Sequence, residues 1–159
     1  MKSGLRGCGL RGRSILPIRL RGSRFPKETP VLAEAKKWLD LYFSGKEPNF
    51  IPPLHPAGSP FRQAVWKLLL EIPYGQTTTY GEIAGRLAAM QNTSSMSAQA
   101  VGGAVGHNEI SIIIPCHRVV GTNGSLTGYA GGIDRKIALL KLEHTDMKGF
   151  FVPKKGTAL

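Results

Sequence analysis

The chain has 159 residues, 42% of them hydrophobic, and carries a formal net charge of +11. This length and apolar content suffice for one globular domain with a hydrophobic core, and no apolar run approaches the ~20 residues of a membrane-spanning helix, so none is predicted. The excess positive charge favours nucleic acid as a partner over an acidic membrane surface or a merely solubilised surface.

Two cysteines, Cys8 and Cys116, are too few for a disulfide framework. Cys8 lies in a segment with no clear fold, so a reducing compartment suits both thiols. The cysteines and the four histidines show neither CxxC nor HxxxH spacing. No metal site is therefore predicted.

Residues 1–27 form a basic, glycine-rich segment. They hold eight Lys or Arg residues, five glycines and no acid. A solvated arm, a tail that contacts nucleic acid and a transit peptide all fit this composition, although the glycines disfavour an amphipathic targeting helix. Within it, "SILPIRL" could add a short strand.

Capping patterns predict the helices that follow. "TPVLAEAKKWLDLYFSG" has a Thr29 cap, Pro30 at the first helical position and Gly45 as a stop, and its aromatic residues are expected to pack in the core. After the proline-rich linker "KEPNFIPPLHPAGSP", Ser59 and Pro60 repeat the signature for a helix that ends before Pro73.

Two further helices form a predicted helix-turn-helix. "TYGEIAGRLAA" opens with a capping box of Thr79 and Glu82, and "SAQAVGGAVGHN" follows the polar loop "QNTSSM" and ends at Gly106. Gly102 and Gly103 each cost about 1 kcal/mol relative to alanine inside a helix. Either tight packing against another helix or close approach of a nucleic-acid backbone would explain them.

The stretch "IIIPCHRVVG" places Cys116 beside His117, with Arg118 adding positive charge and Pro115 fixing the entering backbone. A thiol needs a base or a lowered pKa to become a nucleophile, although a buried free cysteine is often inert. Adjacent side chains in extended backbone point apart, so a relay through water is easier to build than direct contact. Glu143 and Asp134 are the nearest downstream acids that could orient the histidine.

Downstream of the cysteine, Asn123 and Gly124 predict a turn, and "GYAGG" predicts a mobile or tightly turned loop. A final amphipathic helix, "DRKIALLKLEH", follows. The tail from Lys148 onward is expected to fray.

"IPCHRVVG", with "AVGGAVGHN" upstream and "GYAGG" downstream, resembles the signature of the O6-alkylguanine-DNA alkyltransferases, also called methylated-DNA-protein-cysteine methyltransferases. The resemblance runs from about Thr29 to Glu143. It implies that Cys116 accepts the alkyl group irreversibly and without a cofactor. It also implies that His117 acts on the thiol through a water and that Glu143 orients His117.

The resemblance implies further roles, one position at a time. Asn108 would tie the recognition helix to the cysteine turn, and Tyr80 would help to protonate the leaving guanine. The predicted substrate and DNA contacts are Gln99, Ala100, Gly102, Gly103, Ser111, Arg118, Val119, Tyr129 and Ala130. Among these, Tyr129 would line the pocket, and the backbone around Val119 and Ala130 would bond the guanine edge.

Two positions and one segment depart from the family pattern. Gln99 stands where relatives usually carry an arginine that fills the space of the extruded base, so flipping is expected to be slower or less stable. Ser111, where some relatives have a proline, is expected to alter substrate range. The basic residues 1–28 stand where the family has a small α/β domain.

The predicted fold is α/β, with a mainly helical carboxyl-terminal domain that contains the helix-turn-helix and an amino-terminal domain that is truncated or replaced. The predicted divisions are an extension over 1–28, a helix and linker over 29–58, the active-site domain over 59–147 and a tail over 148–159.

The implied function is single-turnover repair of O6-alkylguanine, with O4-alkylthymine as a further substrate, in double-stranded DNA. The protein would be a monomer that enters the minor groove and flips the base, cytoplasmic and nucleoid-associated in a prokaryote or nuclear in a eukaryote. Two alternatives stay open: a lesion sensor of the same fold that does not repair, and a dimeric helix-turn-helix regulator with an alkylatable cysteine.

Overall fold

A computed structural model describes residues 29–154. The basic segment, with its predicted "SILPIRL" strand, lies outside the described residues. Five helices and two short strands follow in the order α1 (Pro30–Phe43), α2 (Pro60–Leu70), β1 (Thr78–Thr79), α3 (Tyr80–Met90), α4 (Ala98–Gly106), β2 (Val119–Val120) and α5 (Ile133–Leu142). A 3-10 turn, Cys116–Arg118, precedes β2.

The predicted helix starts are confirmed because the capping side chains make the expected hydrogen bonds. The Thr29 hydroxyl accepts from the Leu32 amide, and the Ser59 hydroxyl accepts from the Arg62 amide. Both halves of the Thr79–Glu82 capping box are formed. These bonds satisfy amide groups that a helix leaves without partners in its first turn.

The mainly helical domain with a helix-turn-helix is also confirmed. Helices α2, α3 and α4 pack around one apolar core, whose largest member is Trp66; the indole of Trp66 donates to the Ala104 carbonyl of α4 at 2.9 Å. Strands β1 and β2 pair in parallel, with Thr78 opposite Val119. This pairing joins the start of α3 to the turn that carries Cys116.

The two glycines of α4 face different surroundings. Gly102 is buried, which fits tight helix packing. Gly103 is exposed, and a Cβ placed there would have no heavy atom of residues 29–154 within 4 Å. Packing inside this chain therefore explains Gly102 but leaves Gly103 without an internal reason to be glycine.

The expectation that the tail frays from Lys148 is wrong as far as Phe151. The Leu126 amide donates to the Phe151 carbonyl at 2.8 Å, and the Phe151 amide donates to the Gly124 carbonyl at 3.2 Å. Phe150 packs on the cluster that contains Val120 and Leu140. The sequence pattern missed these contacts because they depend on a loop some 25 residues upstream. Within residues 29–154, no helix is long and apolar enough to cross a membrane.

Candidate active site

Cys116 lies at the start of the 3-10 turn, with only 5% of its surface exposed. The turn is held from α4: the Asn108 side-chain amide donates to the Ile114 carbonyl at 2.9 Å, and its oxygen accepts from the Ile110 amide at 3.0 Å. Between them, Ile112 adopts a φ of +77°, a strained conformation for a β-branched residue. The end of α4 therefore fixes the position of the cysteine.

His117, which follows Cys116 in the 3-10 turn, forms a buried pair with Glu143. His117 Nε2 lies 2.6 Å from Glu143 Oε1, and both side chains are fully buried. Burial alone would raise the pKa of Glu143, but bonds from His117 and Arg118 outweigh it and hold the pKa at about 2. A carboxylate can only accept, so Nε2 carries the proton and donates it to Glu143.

The other ring nitrogen of His117 is consequently the basic one. Burial lowers the pKa of His117 more than Glu143 raises it, so the imidazole is neutral near pH 7. Nδ1 is buried and has no hydrogen-bond partner among residues 29–154. An unprotonated, unpartnered ring nitrogen is suited to accept a proton, directly or through water.

Arg118 bonds the carboxylate of Glu143. Its Nε donates to Glu143 Oε2 at 2.8 Å and its Nη2 to Glu143 Oε1 at 3.0 Å, while Nη1 donates to the Ile72 carbonyl at 2.6 Å. Only 8% of Arg118 is exposed. These bonds use three of its five N–H groups, so its contact with substrate or DNA stays a prediction.

The two acids predicted as partners of the histidine lie in different surroundings. Glu143 caps the end of α5 and faces His117, whereas Asp134 is exposed in the first turn of that helix. The Gly75 amide also donates to Glu143 Oε2, at 3.2 Å. The structure thus selects Glu143 as the group that orients the histidine.

Burial raises the pKa of the Cys116 thiol, although the Asn108 and Ser111 side chains and the Lys136 charge oppose this shift. The thiol is therefore protonated near neutral pH, and its activation requires a base. Lys136, which is fully buried, donates from Nζ to the Val119 carbonyl at 2.5 Å and the Thr127 carbonyl at 2.7 Å. Burial lowers the pKa of Lys136 to about 8.

Tyr80 and Tyr129 both lie near Cys116 and pack against its cluster. Burial, followed by the charge of Cys116, raises the pKa of each phenol to about 12. The Tyr80 hydroxyl reaches the Thr127 carbonyl at 3.3 Å and the Gly128 carbonyl at 3.4 Å, which are long contacts. Gly128 has a φ of +69°, and a Cβ there would collide with that hydroxyl.

The remaining predicted contacts fall into two groups. Gln99, Ala100 and Gly103 are exposed on α4, and Ser111 and Ala130 are exposed near the cysteine turn, whereas Gly102 and Val119 are buried. The Val119 carbonyl accepts a bond from Lys136 and keeps a second lone pair, so its contact with the guanine edge stays a prediction.

Sequence reasoning missed two members of the site. Tyr42, expected to be a packing residue, donates its hydroxyl to Glu143 Oε1 at 2.7 Å. Lys136 was not singled out, although a lysine on the apolar side of α5 is an available signal. For Tyr42 no comparable signal exists, because an aromatic residue in an amphipathic helix is ordinarily core.

Comparison with known proteins identifies this arrangement. Residues 60–145 match the family model described as "6-O-methylguanine DNA methyltransferase, DNA binding domain". A methylated-DNA–protein-cysteine methyltransferase of Methanosarcina mazei is 52% identical over 115 residues, which are 72% of this chain and 70% of that protein. A Mycobacterium tuberculosis protein of the same name is 54% identical over 105 residues, 66% of this chain and 61% of its own.

Among solved structures, the M. tuberculosis OGT in complex with DNA is similar at a TM-score of 0.64 and 52% identity, covering 70% of this chain and 66% of that one. The chain thus aligns with 61 to 70% of the length of these curated relatives. Because the family model matches more than half of the chain and includes the cysteine turn, α4 and Glu143, the chain belongs to the methylated-DNA–protein-cysteine methyltransferase family.

Proposed function

We propose that this protein repairs O6-alkylguanine in double-stranded DNA by moving the alkyl group to its own Cys116. The observation that carries the proposal is a buried thiol followed in the same turn by a neutral histidine. The Nε2 of this histidine bonds Glu143, and its Nδ1 has no hydrogen-bond partner among residues 29–154. The family relationship supports the substrate class. No cofactor enters the scheme, because the thiol and the base are both supplied by the chain.

The reaction balances with these groups alone. The Cys116 proton passes through a water to His117 Nδ1, and the sulfur attacks the alkyl carbon as the carbon–O6 bond breaks. The leaving guanine takes a proton from the Tyr80 hydroxyl, which is only weakly bonded at 3.3 Å. The proton on His117 then passes through water to the Tyr80 phenolate, so both side chains return to their starting state. The S-alkyl thioether has no leaving group that could reverse the step, so each molecule acts once.

A guanine inside a duplex cannot reach a buried thiol, so the base must be flipped out at a cost of a few kcal/mol. The exposed residues Ala100 and Gly103 give α4 a surface with little side-chain bulk. Such a surface suits close contact with a minor groove, and the net charge of +11 supplies affinity without sequence preference. Gln99, exposed on the first turn of α4, would occupy the space of the flipped base and bond the orphaned cytosine, without adding charge.

Gly103→Ala is expected to stabilise the protein by about 0.5–1 kcal/mol while weakening its binding to DNA at least threefold. The gain follows from helix propensity and the open space around a Cβ at this position. The loss follows from the added methyl group on the surface that meets the groove. Urea denaturation and a fluorescence-anisotropy titration with duplex DNA measure the two effects.

Gly85→Ala on α3 is the matched control, since a Cβ there also meets no heavy atom within 4 Å. It should give a similar stability gain and unchanged DNA affinity. If Gly103→Ala binds DNA as tightly as the wild type, α4 does not approach the groove at this residue.

The proposed function is tested by intact-protein mass spectrometry after incubation with duplex DNA that holds one O6-methylguanine. We expect a stoichiometric gain of one methyl group, mapped by peptide analysis to Cys116, and none with undamaged DNA. Binding without any mass change would instead support a lesion sensor of the same fold. Tight binding to one particular sequence by a dimer would support the regulator.

The division of the chain is part of the proposal. Residues 59–147 carry the reaction, α1 and the linker in 29–58 support it, and the extension over 1–28 adds charge that attracts DNA. Because its substrate is chromosomal DNA, the protein would act at the nucleoid in a prokaryote or in the nucleus in a eukaryote.

A further inference from the structure

A hydrogen bond from Tyr42 connects α1 to the carboxylate of Glu143. Its hydroxyl donates to Glu143 Oε1 at 2.7 Å and lies 3.3 Å from His117 Nε2. The side chain is fully buried and stacks on Trp38, with ring centroids 5.1 Å apart. Helix α1 precedes the residues matched by the family model, which begins at position 60.

The hydroxyl contacts the same carboxylate oxygen as the histidine. Glu143 Oε1 accepts from His117, from Tyr42 and from Arg118. The proton on Nε2 is directed to the carboxylate at 2.6 Å, so the longer approach of the tyrosine oxygen to Nε2 is a contact without a shared proton. Tyr42 and His117 therefore compete for the negative charge of one atom.

This competition affects the base that activates Cys116. An imidazolium at His117 is stabilised by the negative charge of Glu143, and a second donor on Oε1 draws part of that charge away. The ionisable groups around this pair are Arg118 on the 3-10 turn, Tyr74 on the loop after α2, Lys136 on α5 and Tyr42 on α1. Among the neutral donors in that set, only the Tyr42 hydroxyl bonds the carboxylate.

We propose that Tyr42 is a positioning residue that sets the basicity of His117 through its hydrogen bond to Glu143 Oε1. This inference rests on the proposed alkyl transfer but concerns a residue outside the matched family domain. It makes α1 a part of the catalytic apparatus. Removing the hydroxyl leaves more charge on Oε1 for the histidine, so the imidazolium becomes more stable and the pKa of His117 rises.

Tyr42→Phe tests the proposal through the pH dependence of transfer to Cys116. The rate falls at low pH as His117 is protonated, and the midpoint of this acid limb should move to higher pH by about half a unit. The rate on the acid limb should then drop about threefold, while the rate at high pH changes less than twofold. The readout is single-turnover methyl transfer from DNA between pH 5 and 9.

Tyr74→Phe is the matched control, because its hydroxyl donates to the Leu142 carbonyl at 3.2 Å and its ring packs edge-on against Tyr42. Its acid limb should stay in place. An unshifted limb in Tyr42→Phe, or an equal shift in both variants, would overturn the proposal.

Two further measurements keep the test decisive. If Tyr42→Phe does not fold, 3-fluorotyrosine placed at position 42 provides a stronger donor of nearly the same size, and the limb should move to lower pH; no movement would count against the proposal.

Alkylation of Cys116 by iodoacetamide in a Cys8→Ala background follows the same base without DNA. A wild type that shows this pH limb but never takes a methyl group from DNA would refute the proposed function and leave the role of Tyr42 testable.

Discussion

Cys116→Ala is expected to abolish methyl transfer completely while leaving the fold and the binding of damaged DNA in place. The only nucleophile of the proposed scheme is lost. The cost in stability should be about 1 kcal/mol, since the change removes one buried atom from the core beside Ile114 and Val119. Intact-mass analysis, a thermal melt and an anisotropy titration measure the three quantities.

The chain provides its own control, because it has one other cysteine. Cys8→Ala should take up one methyl group per molecule, as the wild type does, since the proposed acceptor is Cys116. A methyl group found on the Cys116→Ala protein, or its loss from Cys8→Ala, would contradict the assignment of the acceptor.

The helices were predictable because their determinants are local. Thr29, Ser59 and the Thr79–Glu82 box each act within one turn, so the residues that specify a helix start are neighbours in the sequence. The order near the end of the chain was not predictable, because Phe151 bonds backbone groups at 124 and 126. Such pairing leaves no periodic signature.

The same distinction between local and distant contacts applies to the active site. Cys116 and His117 are contiguous, and the motif they belong to could be interpreted from sequence. The bond from Arg118 to Glu143 was not predicted, because the two residues are 25 positions apart. Tyr42 is 101 residues from that acid, a separation at which no spacing rule predicts a contact.

Arg118 and Tyr42 both contribute to the environment of one carboxylate. Glu143 accepts from the Tyr42 hydroxyl, the His117 ring, the Arg118 guanidinium and the Gly75 amide. These donors come from α1, the 3-10 turn and the loop after α2. Glu143 consequently connects three parts of the fold, and the proposed proton relay also depends on it.

Glu143→Gln is therefore expected to lower the free energy of unfolding by about 3–5 kcal/mol, because Arg118 keeps its buried charge without a counter-charge. The rate of transfer should fall about 100-fold in the protein that remains folded, since the imidazolium loses its stabilising anion. Urea denaturation at pH 7 and single-turnover transfer well below the melting temperature measure these losses. Glu109→Gln, which removes an exposed acid, should change stability by less than about 0.5 kcal/mol.

The pH dependence of stability distinguishes the lost charge from lost packing. The pKa of Glu143 falls from an ordinary value of 4.5 to about 2 in the folded protein, so its contribution is complete above pH 4.5 and disappears as the pH falls towards 2. At about 1.4 kcal/mol per pKa unit, this contribution is roughly 3 kcal/mol. The wild type should lose that amount between pH 4.5 and 2 relative to Glu143→Gln, whose glutamine does not titrate. If the difference between the two proteins is the same at pH 2.5 and pH 7, the carboxylate charge does not stabilise the fold, and the loss comes from packing alone.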